Sequence, residues 1–279
     1  MKHVTVSFFV LLILFSFTSK PQQNNQEKFI LIQCGATSDP NEDIRKGVQK
    51  NMDGMEELMK KIATILNRDF ENIELTGNNF NDQTLKKQLT TLENKYEGQK
   101  PIIVFYYVGH GEADKEVETE LPYLLFKTRR DANNNLISLN PNGSIYLGTI
   151  SNQIEASFPY STRWVIAETC NQFLKNSQIH NYSSGVSVNA GTQSQLLKQN
   201  MTDVFKESLT IYSSKRGEPA YITKDGGVFF AWFDEIFTDL IDNPEELTLN
   251  NLKRKLIKKQ RTRFDYQGKE VMQTLGFGK

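Results

Sequence analysis

Pro101-Ile-Ile-Val-Phe-Tyr-Tyr-Val108, followed at once by Gly109-His110-Gly111, is the stretch on which the fold turns. A short apolar run bounded by a proline and a glycine predicts a strand buried on both faces. Lys28–Cys34 (KFILIQC) and Arg163–Thr169 (RWVIAET) repeat the pattern, and Asn72–Leu75 and Ser208–Ser213 are further strands. Helical spacing fills the intervals. Ile44–Leu66 carries Val48, Met52, Met55, Leu58, Met59, Ile62, Ala63 and Leu66 on one face, and Asp82–Tyr96 carries Leu85, Leu89 and Leu92. Leu147–Phe158, Gly226–Ile241 and Leu247–Lys259 are also predicted helices, and Pro122–Phe126 a hairpin strand. Gln172–Gln199, polar and weakly periodic, is expected to be a mobile loop with some helix. Strands alternating with helices, joined by connections long enough for crossovers, predict an α/β domain with helices on both faces of a mostly parallel sheet.

Composition narrows the function. The 279 residues carry 33 basic and 33 acidic side chains and are 38% hydrophobic. That charge balance argues against a nucleic-acid binder working by bulk electrostatics, and the apolar fraction argues against disorder. Two cysteines, Cys34 and Cys170, exclude a disulfide scaffold and a Cys-based zinc site, though in an oxidising compartment they could pair. Lys253–Arg263 holds seven basic residues in eleven, but helical spacing and the acidic Asp234–Glu246 stretch upstream favour a solvated helix face.

The chain begins Met1-Lys2-His3, runs apolar from Val4 to Phe17, then turns polar. This is the layout of a secretory signal peptide. Fourteen apolar residues would rise only ~21 Å as a helix, short of a ~30 Å hydrocarbon core. The expected organisation is therefore a signal peptide at 1–20, a polar linker at 21–27 and one domain over 28–279, with secretion or periplasmic export. An uncleaved N-terminal anchor is the alternative. In a eukaryotic secretory host, Asn142, Asn181 and Asn200 head glycosylation sequons.

In open parallel sheets, sites lie beyond the carboxyl ends of strands. Two predicted strands end in reactive groups: Val108-Gly-His110-Gly111 and Glu168-Thr-Cys170-Asn171. A free thiol is mostly protonated at neutral pH, and a neighbouring imidazole can serve as its base. Glycines flanking His110 permit a tight turn and can aim a backbone N–H at a developing oxyanion.

Ile103-Val-Phe-Tyr-Tyr-Val-Gly-His110-Gly111 and Val165-Ile-Ala-Glu168-Thr-Cys170-Asn171 together resemble the two motif strands of the caspase-like cysteine peptidases, especially metacaspases and bacterial caspase-family proteins. The separation of sixty residues between His110 and Cys170 suits that pairing. Asn51-Met-Asp53 resembles the family's Asn-Asp helix, and Ile211-Tyr-Ser-Ser214, Glu218-Pro-Ala-Tyr221 and Gly227-Val-Phe-Phe230 resemble its downstream strand and helix. The resemblance implies a three-layer α/β/α caspase-like fold and a cysteine endopeptidase acting on protein or peptide substrates. It implies His110 as general acid/base, Cys170 as nucleophile, and the N–H groups of Gly111 and Cys170 as oxyanion hole. Glu168, with Asp39 as a second acid, would line the S1 pocket and favour Arg or Lys at P1. Glu168 replaces the family's usual Asp, Asn171-Gln172 its commoner His-Ser, and Val108 its Ser. No metal or other cofactor is expected, with calcium dependence left open, as is oligomeric state. The alternatives are a non-catalytic caspase-like module that binds peptides or partner proteins, and another α/β hydrolase or transferase acting on a non-peptide acyl group. His180 has no assigned partner. The Leu174–Gln199 loop, with Lys175 and Lys198, is a candidate for self-nicking.

Overall fold

Ile102–Val108 is a strand with every residue buried, at the middle of a six-stranded sheet. The computed structural model describes residues 27–114, 118–126, 128–130, 136–138, 143–171, 195–260, 264–266 and 269–278. The expected leader, all of the linker but Glu27, His180, Lys175 and the Asn142 and Asn181 sequons lie outside the described residues.

The sheet consists of β1 (Lys28–Gly35), β2 (Asp69–Leu75), β3 (Ile102–Val108), β4 (Arg163–Glu168), β5 (Leu209–Tyr212) and β6 (Gly276–Gly278). Its order is β6-β5-β4-β3-β1-β2, parallel except for β6, which runs antiparallel to β5. Helices α1 (Glu42–Leu66), α2 (Asp82–Lys95), α3 (Leu147–Ser157), α4 (Gln195–Val204), α5 (Val228–Asp242) and α6 (Leu249–Lys259) cover both faces. This is the expected three-layer arrangement.

Strand alternation divides the core. Phe29, Leu31, Val104, Tyr106, Trp164 and Ile166 point toward α1, α4, α5 and α6. Ile30, Ile32, Ile103, Phe105, Tyr107 and Val165 point toward α2 and α3. Each large side chain sealed this way contributes ~1.5–3 kcal/mol of transfer free energy. Trp164 stacks on Phe205 at 4.2 Å and donates its Nε1–H to the Glu207 carbonyl, so its one polar atom is satisfied.

From β1 the chain crosses outward to β2, then returns past β1 to β3 and continues the other way. The reversal opens a crevice between the carboxyl ends of β1 and β3. A small antiparallel sheet, made of Gly111–Glu112, Tyr123–Leu125 and Ser144–Tyr146, is built directly beyond the β3 tip. Gln195–Gln199, the described end of the segment expected as a mobile loop with some helix, is the first half of α4, whose Leu197, Met201 and Val204 are buried. One feature was not expected. The C-terminal hairpin (Phe264–Tyr266 with Lys269–Val271) and β6 carry no hydrophobic period of their own; the hairpin strands pair with each other and β6 pairs with β5.

Candidate active site

Four neighbouring strands deliver the site. Val108 on β3 pairs in register with Glu168 on β4, and the Gly109 N–H donates to the Glu168 carbonyl. Two residues farther along each chain, just beyond the ends of these neighbouring strands, come His110 and Cys170. On the other side of β3, Gly35 of β1 pairs with Val108, and the β1 strand leads to Asp39. On the other side of β4, Ser213 leaves β5 and opens the 213–221 turn. The His110 and Cys170 turns touch through backbone. A Cβ on Gly111 would lie 2.2 Å from Thr169 Oγ1 and 2.5 Å from the Cys170 carbonyl, so only glycine fits. The Tyr107 hydroxyl, 2.6 Å from the His110 carbonyl and 2.8 Å from that of Leu125, braces the turn from below.

His110 Nε2 lies 2.6 Å from Asp39 Oδ2. A carboxylate only accepts, so this contact assigns the proton to Nε2 and leaves the Nδ1 lone pair as the basic position. The Asp39 side chain is 1% exposed and that of His110 12%. Asp39 Oδ1 accepts from the Asn41 N–H, so the start of α1 aims the carboxylate. Asp39, expected in a substrate pocket, is thus corrected to a partner of the imidazole. Both oxygens are engaged and the side chain is buried, held by the imidazole and the start of α1.

Cys170 is partly exposed, whereas Cys34 is fully buried on β1; both are free thiols. Burial pushes the Cys34 thiol far above its ordinary range, and the residue is chemically inert. Burial also pushes the Cys170 thiol up, opposed by hydrogen bonding to Ala220. Its Sγ lies 3.6 Å from the Ala220 carbonyl and 3.4 Å from the Ala220 N–H. Asn171 ties the two turns together: its N–H donates to the Glu218 carbonyl, and its own carbonyl accepts from Gly217.

Glu168 also needs correction. It shares the strand face of Trp164 and Ile166 and therefore points into the α1/α5 layer, 3% exposed, rather than into a substrate pocket. Asn51 Nδ2 donates to its Oε2 at 2.6 Å, and the Tyr106 hydroxyl does so at 2.9 Å. The Phe230 N–H, in the first turn of α5, donates to Oε1. Asn51 Oδ1 in turn accepts from the Gly227 N–H. A Cβ on Gly227 would fall 1.7 Å from Glu168 Oε1, so the carboxylate occupies the space a larger residue would need. Burial raises its pKa to about 7 against the opposing hydrogen bonds.

Sequence reasoning brought His110, Gly111 and Cys170 to one place. It missed the Asp39–His110 and Asn51–Glu168 pairs, 71 and 117 residues apart. The strand period alone held the signal for Glu168, since it shares a face with Ile166. Among the described residues no group of three His, Cys, Asp or Glu converges to hold a metal, and no helix is long and apolar enough to cross a membrane. A cavity of about 620 Å³ lined by Arg68, Lys100, Tyr160 and Lys206 lies at the opposite, amino-terminal edge of the strands, away from this chemistry.

No protein-family profile matches the sequence. No curated protein matches it either. Among solved structures the chain is similar to caspase-1 from Spodoptera frugiperda, with a TM-score of 0.51 at 8% identity, covering 91% of this chain and 86% of that one. At that identity the likeness speaks to architecture alone, and the fold of this chain is caspase-like.

Proposed function

We propose that the chain is a cysteine-type endopeptidase with Cys170 as nucleophile, His110 as general base and acid, and Asp39 orienting the imidazole. The observation that carries this reading is the placement of Asp39, His110 and Cys170 on three successive strand tips, with the imidazole already locked to a buried carboxylate. His110 Nδ1 takes the thiol proton, the thiolate attacks the substrate carbonyl, and the imidazolium returns the proton to the departing amine. Water then attacks the acyl-enzyme and releases the acid and the thiol. The N–H groups of Gly111 and Cys170 receive the developing oxyanion. The His110 carbonyl accepts from Leu125, so Gly111 and Leu124 form a non-hydrogen-bonded pair, and the Gly111 N–H is not used in that ladder.

The proposal keeps Arg or Lys at P1, now without Glu168 or Asp39 as its support. Burial chiefly raises the titration of Tyr123, Tyr212 and Tyr221, and the carboxylates of Asp114, Glu112, Glu120 and Glu218 add to it; acidic groups near the site support a basic side chain. No cofactor is invoked; calcium and chelator arms test that choice. The apolar run from Val4 to Phe17, read as a signal peptide, supports action after export.

Hydrolysis of fluorogenic peptides ending in Arg or Lys by the wild type, abolished in Cys170→Ala, is the expected result. One observation favours a second reading, a peptide-binding module without turnover: the resting thiol is held by Ala220 and shifted toward its neutral form. Peptide binding by both proteins with hydrolysis by neither would establish that alternative.

A further inference from the structure

The nucleophile touches a group that the scheme above leaves without a role. We infer that the backbone N–H of Ala220, held in place by the buried side chain of Gln273, is a catalytic donor that stabilises the Cys170 thiolate. The inference rests on Cys170 being the nucleophile.

A thiolate formed in a desolvated turn needs donors aimed at sulfur. His110 supplies one on the side of β3. On the side of β5 the Ala220 amide stands 3.4 Å from Sγ, with its own carbonyl at 3.6 Å. The two contacts serve different forms. The thiol S–H donates to the carbonyl, whereas the thiolate accepts from the N–H. Once His110 has taken the proton, the amide remains as the attractive partner.

The amide is pinned from both directions. Upstream, Gly217 and Glu218 are hydrogen-bonded to the Asn171 backbone, and the Lys215 N–H donates to the Thr274 carbonyl. Pro219 immediately precedes Ala220 and fixes its own φ, which restricts Glu218 to extended backbone as well. Downstream, the Tyr221 N–H donates to Gln273 Oε1 at 3.0 Å. Gln273 is wholly buried, and its Nε2 has no partner among the described residues. An apolar side chain of that size would avoid this desolvation cost. The polar group is accounted for by what its oxygen does, which is to hold the residue after Ala220. Gln273 is therefore a positioning residue, 103 positions along the chain from the sulfur it serves. The other titratable groups around the sulfur are Tyr107 on β3, Glu218 and Tyr221 in the turn, and His110 with Asp39.

The test uses the full chain and iodoacetamide. The alkylation rate of Cys170 is followed by mass spectrometry of its peptide across roughly pH 5–10, with buried Cys34 as the unreactive internal reference. Ala220→Pro removes the N–H. It should move the midpoint of the pH–rate profile up by about one unit, an approximately tenfold slower reaction at any pH below the midpoint. Gln273→Leu should move it in the same direction by about half as much, and Gln273→Glu, which keeps the accepting oxygen, should restore it. If Ala220→Pro fails to fold, the Gln273 pair decides alone. Unchanged midpoints in folded variants overturn the inference while leaving the peptidase reading intact. A wild-type Cys170 that reacts no faster than a free cysteine and supports no peptide hydrolysis overturns the peptidase reading itself.

Discussion

Replacing Glu168 with glutamine removes one ionisation from the buried junction of β3, β4, α1 and α5. The carboxyl is raised from 4.5 to about 7 in the folded chain, chiefly by burial. The folded state therefore holds this proton more tightly than the unfolded state does. Its contribution to stability is complete below about pH 4.5 and is lost as pH rises to about 7. At ~1.36 kcal/mol per unit, the loss is on the order of 3 kcal/mol. Glu168→Gln does not titrate, so the stability of the variant minus that of the wild type should grow by about this amount between roughly pH 5 and 8. The difference cancels groups that titrate in both proteins. Urea unfolding followed by the fluorescence of Trp164 and Trp232 measures it. With an m-value near ~3 kcal/mol/M, the wild-type midpoint should fall relative to the variant by ~1 M across that range. A difference that stays flat with pH would refute the reasoning, because it would mean a carboxyl that ionises as though in water; so would one that shrinks as pH rises, which would mean a carboxyl held in its charged form.

Further outcomes follow from the same geometry. Asp39→Asn should lower kcat by roughly 10- to 150-fold, the value of a charge-assisted hydrogen bond, with KM little changed; steady-state kinetics on an Arg-terminated peptide reads both. Gly111→Ala places a methyl 2.5 Å from the Cys170 carbonyl and should cost ~1–3 kcal/mol of stability together with activity, measured by melting and turnover. Cys34→Ala should leave peptide turnover intact while creating a small cavity, visible as a modest drop in melting temperature.

The sheet was legible where local pattern and tertiary environment agreed. Ile102–Val108 is apolar without interruption because both of its faces are packed, and Pro101 and Gly109 mark its ends. The α1 stripe was legible for the same reason, its Val48, Met52, Met55 and Met59 lying on the face it buries. Gly276-Phe-Gly278 has no strand signature, and it is a strand because β5 offers an open edge to pair with. The site divides likewise. His110 and Cys170 lie two residues beyond paired strand residues, so counting along two strands locates them. The partners of Asp39 and Glu168 depend on where α1 packs, and no spacing within either segment encodes that. Both acids were visible as acids near the site, and their directions were not.

The contacts from Gln273 to Tyr221 and from Thr274 to Lys215 close a loop in time as well as in space. A ribosome delivers the nucleophile turn about a hundred residues before the segment that tethers it. Any chain interrupted short of residue 273 would hold a cysteine, a histidine and a nearly complete sheet, yet its 213–221 turn would lack that anchorage. Under the proposed peptidase reading, chemical competence waits until residues 273 and 274 have emerged and found their place.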